Sequence, residues 1–133
     1  MRRFVSRDSK KDFYLLYTLV FGVIFFFYLL SVCGGMGSLW LWSHDGIPQH
    51  LNSLAYYGRY LREVLHTVFV EHKLELPMWD MNIGYGSDIL TTLHYYVIGD
   101  PLTLLSVFVP VDKTEVLYEV LIFLRIYLAG ISF

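Results

Sequence analysis

The side chains with chemical potential lie mostly in the middle of this chain. Asp45 stands in Ser43-His44-Asp45-Gly46, a short way beyond a long uncharged run. A carboxylate at a membrane boundary suits a general base, or a ligand holding a metal near a lipid-borne substrate. A solvated loop acid or a helix cap is the simpler reading of the same residue. Arg125 falls near the middle of the last apolar segment. A charge there is costly and normally faces a protein interior, a partner or a polar cavity. It fits an anchor for a lipid phosphate, and equally a structural ion pair with Glu119 or another acid. The histidines (His44, His50, His66, His72, His94) lack the HExxH spacing, and Cys33 is the single cysteine. They read as surface or satisfied polar groups rather than metal ligands. Gly84-Tyr85-Gly86-Ser87-Asp88 offers a backbone nest for an anion or, more simply, a tight turn. The pairs Tyr56-Tyr57 and Tyr95-Tyr96 suit stacking on sugar rings or anchoring at a membrane interface.

The elements that must position these groups follow from charge and hydropathy. The chain has 133 residues, 56% hydrophobic and only 17% charged, which shifts the expected class from a soluble domain to a membrane protein. Five of its ten basic residues (Arg2, Arg3, Arg7, Lys10, Lys11) occupy the first eleven positions. Residues 34–114 hold eight acids against four bases, so a positive tail precedes a negative middle. The tail suits anionic lipid and shows no nucleic-acid pattern beyond its charge. With one cysteine, no internal disulfide forms, and the redox compartment is not legible.

Phe13 to Cys33 carries no charge over 21 residues. As a helix it would reach about 30 Å, the hydrocarbon thickness of a bilayer. The basic tail should stay inside, with Trp40 and Trp42 at the outer interface. A cleaved signal peptide would have a shorter apolar region of roughly 7–15 residues. Gly34, Gly35 and Gly37 are expected to end the helix. Beyond Pro48, Leu51, Leu54, Ala55, Leu61, Leu65 and Val68 recur at helical spacing, interrupted by Arg59, Arg62, Glu63 and His66, which predicts an amphipathic helix that does not span. The stretch 76–88, with Pro77, Asn82, Gly84 and Gly86, predicts a structured loop. Asp88 then caps a short helix, and Asp100-Pro101 breaks it. Leu102 to Val109 is apolar but too short to span, so it should be re-entrant or interfacial.

The expected fold class is all-α integral membrane. A basic cytoplasmic tail (1–12) leads to a transmembrane helix (13–33). A large extracytoplasmic loop with amphipathic and re-entrant helices (34–114) follows, and then a second transmembrane helix (115–133).

The order of short motifs from Asp45 onward resembles the YfhO family of bacterial membrane proteins. Asp45 and Gln49 are similar to its Asp-x-x-x-Gln opening. Pro77-Met78-Trp79-Asp80, Ile83-Gly84-Tyr85-Gly86-Ser87-Asp88, Tyr95-Tyr96, Asp100-Pro101-Leu102, Phe108-Val109-Pro110 and the closing Arg125-to-Phe133 stretch follow in order. The resemblance implies the N-terminal part of a polytopic GT-C-type glycosyltransferase in the bacterial cell membrane, with its N-terminus cytoplasmic. Such an enzyme takes a polyprenyl-phosphate sugar as donor and a surface polymer such as teichoic acid as acceptor. It also implies a catalytic Asp45. Gln49, Trp79, Asp88, Tyr95 and Tyr96 would line the substrate pocket, and Arg125 would face the lipid phosphate. A divalent metal is left open. The 133-residue piece alone is expected to be inactive. The rival expectation is a non-enzymatic membrane protein, such as a transporter subunit or envelope assembly factor.

Overall fold

The computed structural model describes residues 7–36 and 45–132. Helical turns make up 78% of it, so the protein is all-α despite one short β-ladder. The start of the basic tail, Trp40, Trp42 and His44 lie outside the described residues. The chain divides into two compact units, Met1–Trp40 with Phe123–Phe133, and Leu41–Ile122.

In the first unit, helix α1 (Arg7–Met36) is longer than the uncharged run and passes through Gly34 and Gly35 instead of ending there. Two glycines cost a helix about 1 kcal/mol each, too little to stop one already propagating. Within it, Lys10–Ser31 is long and apolar enough to cross a membrane, the only such helix among the described residues, and none of that span is buried. Phe13, Leu16, Leu19, Ile24 and Phe27 are all exposed, so apolar side chains surround the axis. A helix apolar all round requires an apolar solvent or a protein interior.

Among the described side chains of α1, only Tyr17, Phe21, Phe25 and Leu29, one stripe at four-residue spacing, are partly covered. Tyr17, Phe21 and Phe25 face the second half of helix α4 (Thr114–Ser132). The Tyr17 hydroxyl donates to the Tyr127 carbonyl oxygen at 3.1 Å, while Phe21 meets the Tyr127 ring and Phe25 the Phe123 ring edge to face. A methyl on Gly130 would run into the Tyr17 hydroxyl and ring, so glycine is what lets the helices approach there. Helix α4 carries Glu115, Glu119 and Arg125, and does not share the uncharged character of the 13–33 stretch of α1.

The second unit is organised on helix α2 (Asn52–Phe69), which a π-helical turn over Gly46–Leu51 leads into directly. One face of α2 places Leu54, Tyr57 and Leu61 in a core with Ile89, Leu93, Val97 and Leu121. The expected apolar face included Leu65, but that side chain is exposed. The buried stripe instead continues through Gly58 to Arg62. Strands β1 (Trp79–Asp80) and β2 (Ser87–Asp88) pair antiparallel around a loop. Helix α3 (Ile89–Leu93) and a π-helical segment (His94–Ile98) follow. A 3₁₀ helix (Pro101–Phe108) and a shorter one (Val111–Lys113) then lead into α4.

The longer 3₁₀ helix is built inside out. Thr103 and Ser106 are buried, while Leu104, Leu105 and Phe108 are exposed. Asp100 caps its start by accepting the Leu102 N–H at 2.8 Å, and Pro101 occupies the first position, where no donor is needed. The Thr103 hydroxyl lies 2.7 Å from the Val97 carbonyl oxygen. Ser106 presses on Gly58 so closely that a Cβ there would sit 2.7 Å from the Ser106 carbonyl oxygen. One turn along α2, Arg62 Nη1 reaches the carbonyl oxygens of Ser106 (2.9 Å), Val107 (3.3 Å) and Val109 (2.8 Å). Ser106 also accepts from the Val109 N–H at 3.3 Å, while Val107 and Val109 are acceptors of the kind a helix C-terminus leaves unmet, and a cation there also complements the dipole. Arg62→Met keeps the aliphatic stem and removes the donors. It should cost about 1–3 kcal/mol, read as a lowered thermal midpoint in detergent and faster proteolysis within 101–109.

Candidate functional site

Asp45 sits where the chain enters the first π-helical turn. Its backbone carbonyl oxygen accepts from the Gln49 and His50 N–H groups at 3.2 and 3.1 Å, while its side chain does not cap the helix. The side chain instead turns to Gln49, whose Nε2 donates to Asp45 Oδ1 at 3.0 Å. An offset of four residues within a helical turn makes this pairing possible. The Gln49 Oε1 in turn accepts from the Tyr96 hydroxyl at 3.0 Å. Tyr96 is held edge-on by His50, with ring centroids 5.2 Å apart, and by Tyr95 at 5.1 Å. A relay Tyr96–Gln49–Asp45 results, in which a phenol orients an amide and the amide orients a carboxylate. Asp45 Oδ2 receives no hydrogen bond from the described residues and remains able to accept one.

This arrangement brings together four of the side chains singled out in the sequence: Asp45, Gln49, Tyr95 and Tyr96. Asp88 is engaged elsewhere. Its Oδ1 accepts the Thr91 N–H at 2.6 Å as the cap of α3, which holds its carboxyl below the ordinary carboxylate range. Arg125 is half-buried in the part of α4 that belongs to the first unit. Gly84-Tyr85-Gly86 is a tight turn, with φ of 51°, 70° and 101° in succession. A Cβ on Gly86 would meet the Met81 sulfur at 2.9 Å, so that position needs glycine on two grounds.

Trp79 belongs to a cleft on another face of α2. Tyr56, Arg59, Tyr60 and Glu63 form one wall, and Pro77, Trp79, Asp80 and Asn82 form the other, enclosing about 510 Å³. The Tyr56 hydroxyl donates to Asp80 Oδ2 at 2.6 Å. Asp80 Oδ1 accepts from the Asn82 backbone N–H and from Asn82 Nδ2, both at 2.8 Å. The Tyr60 hydroxyl donates to the Pro77 carbonyl oxygen at 3.2 Å, so two tyrosines of α2 tie down the hairpin. Burial, and then the bond to Asp80, push the Tyr56 phenol well above its ordinary value. The Tyr56 hydroxyl, followed by the Asn82 N–H, holds the Asp80 carboxyl below the usual range. A second hollow of about 470 Å³ shares Tyr56, Arg59 and Asn82 as walls and reaches Pro48 and Asn52, next to Gln49.

Most of this cleft escaped the sequence reading, which treated Arg59 and Glu63 as interruptions of an apolar pattern. Their signal is the spacing Tyr56, Arg59, Tyr60, Glu63, a second stripe at i, i+3, i+4 and i+7. Among the described residues, no three His, Cys, Asp or Glu side chains gather closely enough to hold a metal ion.

No family model, characterised protein or solved structure matches this chain.

The depressed Asp80 carboxyl links cleft geometry to pH. A carboxyl with a lowered folded-state value contributes stability that is present above its unfolded value, about 3.9, and lost as pH falls through the lower folded value. Unfolding in detergent should therefore become easier below about pH 4. Asp80→Asn should flatten that limb of the stability-against-pH curve while lowering stability at neutral pH.

Proposed function

We propose that this chain is the acid-bearing, membrane-anchored portion of a lipid-linked-sugar glycosyltransferase of GT-C type, with Asp45 as its general base. The observation that carries this reading is the Tyr96–Gln49–Asp45 relay. It joins residues 47 positions apart and leaves one carboxylate oxygen open. The order of motifs that resembles the YfhO family supports the same assignment.

In the proposed reaction, Asp45 Oδ2 accepts the proton of an acceptor hydroxyl as that oxygen attacks C1 of the donor sugar. The new C1–O bond forms as the bond from C1 to the polyprenyl phosphate oxygen breaks. The electron pair leaves with the phosphate, and the proton stays on the carboxyl until water removes it. Gln49 keeps the carboxylate aimed by donating to its other oxygen. Tyr96 fixes the amide so that nitrogen, not oxygen, faces Asp45. Trp79, Asp88 and Tyr95 are assigned to the substrate surface and Arg125 to the lipid phosphate, on the resemblance. The acceptor is a cell-surface polymer such as teichoic acid.

The reading requires a multi-pass protein of the bacterial cell membrane. Its basic N-terminus is cytoplasmic, α1 and α4 span, and the segment between them lies outside. Leu104, Leu105 and Phe108, turned outward from the 3₁₀ helix, fit a location against lipid.

Asp45→Asn should lower transfer to surface polymer in cells by about 10²–10⁴-fold at unchanged protein level, the usual contribution of a general base. Tyr96→Phe, which loosens the relay without touching the base, should lower it by about tenfold. Surface glycosylation at the parental rate in Asp45→Asn would remove the catalytic assignment and favour a non-enzymatic role. Topology has its own check. A phosphatase reporter at position 75 should be active, as an extracytoplasmic fusion is, and a cytosolic result there would overturn the orientation.

A further inference from the structure

We infer that the cleft between α2 and the 79–88 hairpin binds a neutral pyranoside, with the exposed Trp79 ring as its floor. A pyranose presents an apolar face of C–H groups and a rim of hydroxyls. A fitting site therefore combines a flat aromatic surface with a few convergent polar groups. Trp79 is 62% exposed, available to cover such a face. The volume, about 510 Å³, falls within the range of small-ligand sites.

The hydrogen-bonding polarity of the walls selects the guest further. The Tyr56 proton is committed to Asp80 Oδ2, so the phenol oxygen faces the cleft as an acceptor. The Asn82 backbone N–H and one Nδ2 hydrogen go to Asp80 Oδ1, leaving the remaining Asp80 lone pairs on Oδ2 and the second Nδ2 hydrogen as a donor toward a guest oxygen. Glu63 adds another acceptor. Such a surface takes hydroxyl donors, and to a phosphate or carboxylate it presents two like charges, Glu63 and Asp80, against one guanidinium, Arg59. A cationic guest is disfavoured as well, because Arg59 already stands 5.5 Å from the centre of the Tyr56 ring. Arg59 can donate to a sugar oxygen.

That the bound sugar is a unit of the acceptor polymer, held at a subsite lined by no residue of the Asp45 relay, rests on the glycosyl-transfer reading above; that it binds at all does not. The test uses the full chain in micelles of lauryldimethylamine oxide, which carries no sugar headgroup. Saturation-transfer NMR is recorded with the methyl glycosides of glucose, galactose and N-acetylglucosamine. At least one should bind saturably, with the strongest transfer to protons of one ring face. Trp79→Ala should weaken it by about tenfold or more, and Trp79→Phe by less than about threefold. Glu63→Ala, which leaves hairpin and core untouched, should also weaken it. Absence of saturable transfer for all three glycosides, or equal affinity in both Trp79→Ala and Glu63→Ala, would overturn the inference. Sugar binding that survives while Asp45→Asn still transfers at the parental rate would sink the catalytic assignment alone.

Discussion

The second unit depends on the close approach of α2 to the 3₁₀ helix at Gly58. With no side chain at that position, the Ser106 backbone comes against the helix, and Arg62, one turn later, reaches the carbonyls beyond it. The guanidinium therefore does its work at a helix end and not in an ion pair. Helix α2 is anchored on that side, which leaves two further stripes for other tasks. One fills the core with Leu54, Tyr57 and Leu61. The other presents Tyr56, Arg59, Tyr60 and Glu63 to the hairpin. A helix whose three faces hold a clamp, a core and a cleft cannot rotate without disturbing all of them.

Two sets of polar groups around this helix differ in how tightly they are bound. Asp80 accepts three hydrogen bonds, and its carboxyl is held down accordingly. Asp45 accepts one from the described residues, through a single amide. A carboxylate saturated with donors is a poor proton acceptor, because every donor stabilises the ionised form. On this physical ground the proposed reading gives the two acids different roles, Asp80 as the keystone of a binding wall and Asp45 as the reactive group.

Much of the architecture was legible as pattern. The uncharged run from Phe13 marked the long apolar helix, and Asp88 and Asp100-Pro101 marked the caps and breaks that follow. The four-residue offset between Asp45 and Gln49 already allowed their side chains to meet. The partner Tyr96 could not be deduced, because its position depends on how the π-helical segment returns beside the first turn. Arg62 was read as a polar interruption, since periodicity cannot distinguish a charge that faces solvent from one that reaches a backbone. The 3₁₀ helix misleads in another way. An apolar stretch normally hides its leucines, and here Thr103 and Ser106 are hidden while Leu104, Leu105 and Phe108 are not. The two-residue ladder at Trp79 and Asp88 was read as loop because Pro77, Asn82, Gly84 and Gly86 dominate its local composition.

That inverted segment bears on how deep the protein can sit. Backbone carbonyls at a frayed helix end are ordinarily hydrated, and losing that water in hydrocarbon costs several kcal/mol per group. By reaching three of them from α2, Arg62 substitutes for the missing hydration shell. In the proposed membrane location, the edge that turns Leu104, Leu105 and Phe108 outward would meet acyl chains with its terminal carbonyls already supplied with a donor from within the protein.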